Sequence, residues 1–294
     1  SDHSSASISV NAGTLEDTLL AGWDALSQMI DVSVFQYVIA ENNSFSSFFE
    51  DYVDVVLAHP DRFNVRTGLA VSYNSSRTIV SVRPSYVASA AVDYQPMKTA
   101  YEEAVGRALA CVTDDMDDVS KTYALHDWLC DRATYHDAAA EVTGQDPSDV
   151  YPKSFTSYGC MVEGLGVCQS YTLALADLLN RAGVDNAPLL VDAMKHAWNM
   201  VEIEGSWYNV DATWDDSTAE AANSGASAYQ PDYSYFLQSE SKFVNGQHHG
   251  WEAEGTYGFD AATMIDDDTR YDNREWKNYA PEGNEWCAAR SSSR

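Results

Sequence analysis

The sequence predicts an α+β protein on three observations. Apolar residues recur at helical spacing through much of the first 134 positions, another helical pattern starts at Cys168, and two strand-like segments follow at 196–203 and 206–211. Thr14 reads as a helix cap with Asp17 three residues on, ahead of Leu15, Leu19, Trp23, Leu26 and Ile30. A second helix is expected over 44–58, where Phe45, Phe48, Phe49, Tyr52, Val56 and Leu57 form one apolar face before Pro60. Runs at 68–73 and 78–83, separated by Asn74, Ser75 and Ser76, predict a hairpin. Helical spacing returns over 97–112 and 119–134, and a polar connection with Gly144, Pro147 and Pro152 leads to residue 157 as a surface loop or the rim of a site. No internal repeat or sharp composition break appears. The expected organisation is a mainly helical N-terminal region with a hairpin over 1–95, a core over 96–260 and a C-terminal extension over 261–294.

A chain of 294 residues with 45% apolar composition is long enough for one large domain or two small ones. Its 17 basic and 45 acidic residues leave a net charge of −28, which disfavours nucleic acid and anionic membranes and attracts cationic peptides, amines and divalent ions. No stretch approaches the roughly 18 to 20 apolar residues of a membrane helix. The acidic, lysine-poor, serine- and tyrosine-rich composition points to a secreted or cell-surface location. Because the chain starts at Ser1, any signal or anchor is expected to be absent from this sequence.

The five cysteines, Cys111, Cys130, Cys160, Cys168 and Cys287, form no C-x-x-C pair, which argues against a zinc knuckle or a thioredoxin-type centre. Their odd number fits one functional thiol beside up to two disulfides, and fits five reduced thiols equally well. The aspartates between 114 and 118 and at 266–268 lack the ligand spacing of an EF-hand and read as solvated turns. His248 and His249 would point to opposite faces of a strand with no third ligand in register, so no metal site is assigned. His126, beside Asp127, reads as a satisfied structural histidine.

Cys168 follows Gly164 and Gly166, and Tyr171, Leu175, Leu178, Leu179 and Ala182 then share one helical face until Gly183. A cysteine at a helix N-terminus meets unpaired amides and the positive end of the dipole, which favour its thiolate. If Ile203 pairs with Ser206 across the Glu204-Gly205 turn, His196 and Asp211 become diagonal neighbours on one face, roughly 7–8 Å apart. A one-residue bulge would separate them. Cys168, His196 and Asp211 thus supply a nucleophile, a base and an orienter.

These segments resemble the transglutaminase-like superfamily, in its bacterial branch. The resemblance rests on Tyr158-Gly159-Cys160-Met161-Val162-Glu163-Gly164-Leu165-Gly166-Val167-Cys168-Gln169-Ser170-Tyr171, on His196-Ala197-Trp198-Asn199 and on Asn209-Val210-Asp211-Ala212-Thr213-Trp214-Asp215-Asp216. Leu125-His126-Asp127-Trp128-Leu129 and Tyr135 upstream, and Tyr235-Phe236-Leu237 and His249-Gly250-Trp251 downstream, extend it over about residues 119–252.

The resemblance implies a papain-like α+β core with the nucleophile at a helix N-terminus, packed on an antiparallel sheet. It implies Cys168 as nucleophile, His196 as base, Asp211 as orienter, and a thioester intermediate formed from an amide. For the oxyanion it implies the Cys168 amide and an upstream side chain, with Tyr158 as the candidate; Trp198 is expected beside His196, restricting water. The chemistry needs no cofactor, and the calcium sites of animal transglutaminases cannot be assigned here. The expected partner is a protein or peptide substrate, lysine-rich and cell-wall peptides included, and nothing sets the oligomeric state. Hydrolysis is favoured because water is the default acceptor; a crosslinking transglutaminase and a non-catalytic surface binding module are the alternatives. A Cys160–Cys168 disulfide would block catalysis, and it would need the glycine-rich loop to fold back on the helix start.

Overall fold

The computed structural model describes residues 13–216, 231–244, 255–260, 263–264 and 266–279. His248, His249, Gly250, Trp251 and Cys287 lie outside the described residues. Helix α1 (Leu15–Asp24) starts at a capping box, Thr14 accepting the Asp17 amide while Asp17 accepts the Thr14 amide. It stops earlier than the apolar spacing predicts. Leu26 turns the chain with φ 51°, and Ile30 enters the same core from strand β1 (Ile30–Asp31). Helix α2 (Ser46–Ala58) and the antiparallel hairpin β2 (Val65–Tyr73) and β3 (Ile79–Tyr86) follow, giving a sheet in the order β1-β3-β2. Leu19, Trp23, Phe48, Tyr52, Ile79 and Val82 form the core of this region.

Helix α3 (Ala91–Leu109) contains Pro96 and so begins ahead of the expected Met97. Helix α4 (Asp118–Arg132) is capped by Asp117, which accepts the Ser120 amide at 2.7 Å, so this part of the aspartate run serves a helix start. The 134–157 connection holds β4 (Thr134–Tyr135), α5 (Asp137–Ala140), α6 (Pro147–Val150) and a 3-10 turn at Pro152–Phe155. Elements of two to four residues are too short to leave a periodic signal in sequence.

A π-helical turn (Gly159–Glu163) leads into β5 (Leu165–Gly166), which pairs in parallel with β4, and then into α7 (Cys168–Ala182), closed by Gly183 at φ 76°. Strands β6 (Asn186–Val191), β7 (His196–Ile203), β8 (Ser206–Val210) and β9 (Thr256–Tyr257) form an antiparallel sheet in the order β8-β7-β6-β9. Single-turn helix α8 (Ala212–Asp215) follows β8. The largest core joins α3, α4, α7 and this sheet through Tyr101, Leu125, Leu129, Leu178, Val201 and Tyr208. Val53 and Leu57 of α2 pack against Leu173 of α7 and against Tyr257. The fold is α+β, with α7 lying on an antiparallel sheet.

Candidate active site

The segment before α7 is pinned at close quarters. Gly164 takes φ 68°, and a Cβ on Gly166 would lie 2.6 Å from both Cys160 Sγ and Ser170 Oγ, so only glycine fits there. Ser170 Oγ donates to the Thr156 carbonyl at 2.6 Å and accepts the Cys160 amide at 3.0 Å; the Val167 amide donates to the Ser154 carbonyl at 3.0 Å. Cys168 emerges as the first residue of α7, half-buried, with no carbonyl one turn back for its amide to bond. Thr172 Oγ1 donates to the Cys168 carbonyl, and Asn199 Nδ2 donates to the Thr172 carbonyl, both at 2.9 Å. The start of α7 is thereby tied to the middle of β7.

The hairpin carries the other two groups. Glu204 (φ 53°) and Gly205 (φ 88°) both adopt the left-handed conformation that a two-residue type I′ turn requires. Pairing then runs without a bulge from Ile203↔Ser206 to Asn199↔Val210, the register read from the sequence. Asp211 leaves β8 as the cap of α8. One of its oxygens accepts the amides of Thr213 and Trp214 at 3.0 and 3.2 Å, and the other lies 2.6 Å from His196 Nε2.

His196 is 10% exposed at its side chain and Asp211 is fully buried. Burial opposes a charge on the imidazole, but the Asp211 carboxylate and then Cys168, both in hydrogen-bonding reach, outweigh it and raise the His196 pKa to about 10. With Nε2 on Asp211, Nδ1 is left for the thiol. Trp198 is buried with its ring 5.8 Å from that of His196, and its Nε1–H donates to Asn209 Oδ1 at 2.9 Å. Trp214 packs on the imidazole as well, at 5.5 Å.

Residues 106–212 match the model of the Transglutaminase-like superfamily, a segment that contains Cys168, His196 and Asp211. This part of the chain is similar to transglutaminase-like domains. No curated protein matches the chain. Among solved structures, a crystal structure of a TGase is similar at 14% identity and a TM-score of 0.34, covering 54% of this chain and 48% of that one. A candidate cysteine protease from Cytophaga hutchinsonii is similar at 12% identity and a TM-score of 0.28, covering 50% of this chain and 61% of that one. The chain thus spans about half of the first and less than two thirds of the second.

Within the matched segment, Tyr158 packs away from the His196–Asp211 pair, on Phe63 and Tyr101. Its ring packs 5.4 Å from Phe63 and 6.5 Å from Tyr101, with Lys153 Nζ 5.4 Å above it. Burial raises its hydroxyl pKa, and the charges that bear on it are those of Lys153 and Glu163. Tyr135 faces Gly166 across the β4–β5 ladder, on the segment that leads into Cys168. Burial pushes its pKa up to about 12, with Cys168, Asp137 and Asp211 adding to the rise. The signal for Tyr135 lies in its place after the α4 motif; Tyr158, the upstream candidate, instead joins the Phe63–Tyr101 ring cluster. No disulfide joins the described cysteines Cys111, Cys130, Cys160 and Cys168 to one another, so Cys168 is not bridged to Cys160. His126 is fully buried against Asp215 and Asp127.

Proposed function

We propose that the protein is a thiol-dependent hydrolase of amide bonds in protein or peptide substrates, acting through a thioester on Cys168. The observation that carries this reading is His196, bonded to Asp211 through Nε2 and bearing on Cys168, which stands at the first residue of α7. The transglutaminase-like match supports thiol chemistry in general. In this mechanism Cys168 Sγ attacks the amide carbon, and the carbonyl oxygen takes up the charge beside the Cys168 amide and the Tyr135 hydroxyl. The C–N bond breaks as His196 gives its proton to the departing amine. Water then attacks the thioester while His196 takes a proton back, releasing the acid and the free thiol. Asp211 holds the imidazole throughout, and Trp198 and Trp214 flank it. The acidic surface favours cationic, lysine-bearing substrates, and a secreted or cell-surface location fits the composition.

The test incubates the protein and its Cys168→Ala variant with lysine-containing peptides, with and without a fluorescent primary amine, followed by mass spectrometry. New termini or deamidated glutamine that appear only with Cys168 are expected. Incorporation of the amine in their place would make the protein a transamidating enzyme, and no Cys168-dependent product would overturn the reading.

A further inference from the structure

Helix α8 is a single turn whose acidic side chains each reach a different element. Asp211 holds His196 of β7. Asp216, just past the turn, accepts the hydroxyl of Tyr171, one turn into α7 from Cys168. Asp215 reaches the opposite way, its Oδ2 lying 3.1 Å from Nε2 of His126 on α4.

The rest of Asp215 is bonded into the backbone around Asp211. Its Oδ1 accepts the Tyr235 amide at 2.8 Å, the Tyr235 carbonyl accepts the Asp211 amide at 3.0 Å, and the Asp215 amide donates to the Asp211 carbonyl at 3.1 Å. These bonds close a ring with Asp211 on it. Cys130, four residues after His126 and on the same face of α4, donates to the Ala212 carbonyl at 3.4 Å. Behind His126, Asp127 Oδ1 lies 3.4 Å from Nδ1 and the Asp127 carboxylate accepts the Tyr233 hydroxyl at 2.8–2.9 Å.

His126, Cys130 and Asp215 repeat the residue types of the proposed centre, yet all three are fully buried, and burial pushes the Cys130 thiol up to about 12. A thiol in that state is no second nucleophile. A buried ion pair also contributes little net stability compared with apolar packing of the same volume, so the pair calls for a role in geometry.

We propose that His126 and Asp215 are positioning residues: their buried pair sets α8 so that the Asp211 carboxylate meets His196 while Asp216 meets the start of α7. The role rests on reading Cys168, His196 and Asp211 as the reacting groups. Asp215 is the inner end of the strut and α4 its support, the point at which α8 is tied to a helix other than α7.

The experiment uses the full chain with Asp215→Asn, His126→Gln and Cys130→Ala. Asparagine keeps an acceptor for the Tyr235 amide and glutamine keeps a donor for Asp215, so folded variants are expected and checked by circular dichroism. Two readouts are taken: the rate of iodoacetamide labelling of Cys168 by peptide mass spectrometry, and the downfield proton resonance of the His196 N–H shared with Asp211, assigned by its loss in His196→Ala. The proposal expects this resonance to shift or broaden in Asp215→Asn and His126→Gln, with Cys168 labelling slowed about tenfold or more. Losses from Asp215→Asn and Asp211→Asn should not add, as for residues that act through one another.

Folded variants with a lower Tm but the parent's His196 resonance and labelling rate would overturn it, leaving a structural role alone. Should both variants fail to fold, Cys130→Ala decides, because it removes the thiol that touches both His126 and the Ala212 carbonyl while keeping His126 and Asp215; an unmoved resonance there also overturns the proposal. If labelling of the parent itself is unaffected by His196→Ala, the functional reading fails, while the His196 resonance still judges the positioning.

Discussion

Two Cys–His–Asp sets lie on either side of α8, and they differ in everything except residue type. Cys168 stands half-buried at the first residue of α7, with His196 in reach and Asp211 behind it. Cys130 lies mid-helix and fully buried, 3.8 Å from His126, with Asp215 beyond. At a helix start the amides are free to meet an anion, whereas inside α4 they bond within the helix and the dipole offers no local positive end. A thiolate in the sealed set would also lose its hydration with little in return. A triad of residue types is therefore not a site: backbone position and access to a substrate decide which set reacts.

The contrast is broken or sharpened most strongly by alkylation of the native protein. Cys168 is expected to react with iodoacetamide at neutral pH, while Cys111, Cys130 and Cys160 wait for opening of the fold, protected by about a thousandfold or more. Labelling of Cys130 at a comparable rate, resolved by peptide mass spectrometry, would erase the distinction. Next in size is Asp211→Asn, which presents an amide to His196 and favours the wrong tautomer. Amide turnover is expected to fall by about two to four orders of magnitude while the chain stays folded, checked by steady-state kinetics on a responsive peptide.

Gly166→Ala tests the close approach that places Cys168. The added methyl meets Cys160 and Ser170, so a loss of about 1–3 kcal/mol in urea unfolding is expected, together with slower Cys168 labelling. The smallest effect is a change with pH. The His196 pKa is raised from 6.5 to about 10, so its contribution to stability is fully present below pH 6.5 and is lost as the pH rises through about 10. The stability gap between the parent and His196→Gln, from urea titrations, should narrow over that window; a gap that is constant or widens would mean that Asp211 and Cys168 do not hold the imidazolium.

Legibility from sequence followed the range of the interactions. The α7 start was readable because Gly164, Gly166 and Gly183 punctuate it, and the β7–β8 register because Glu204-Gly205 admits one tight turn. The short elements between Thr134 and Phe155 were not, and α1 was overrun because Ile30 joins its core from a strand. Tyr158 packs in an aromatic cluster that no local pattern announces, whereas Tyr135 arrives through a parallel ladder to Gly166. Trp214 packs on His196 from α8, a contact that no spacing in the sequence announces.

The sequence by itself determined the α+β class, the helix that begins at Cys168 and the pairing that sets His196 beside Asp211, because each follows from local rules of glycine, turn and alternation. Only the tertiary structure decided that α8 joins α4, α7 and β7, with His126 meeting Asp215 across 89 residues of chain. Such a contact has no period and no spacing. It forms because burial takes His126 Nε2 and Asp215 Oδ2 away from water and each must then find a polar partner inside, a condition that exists only once the core has closed.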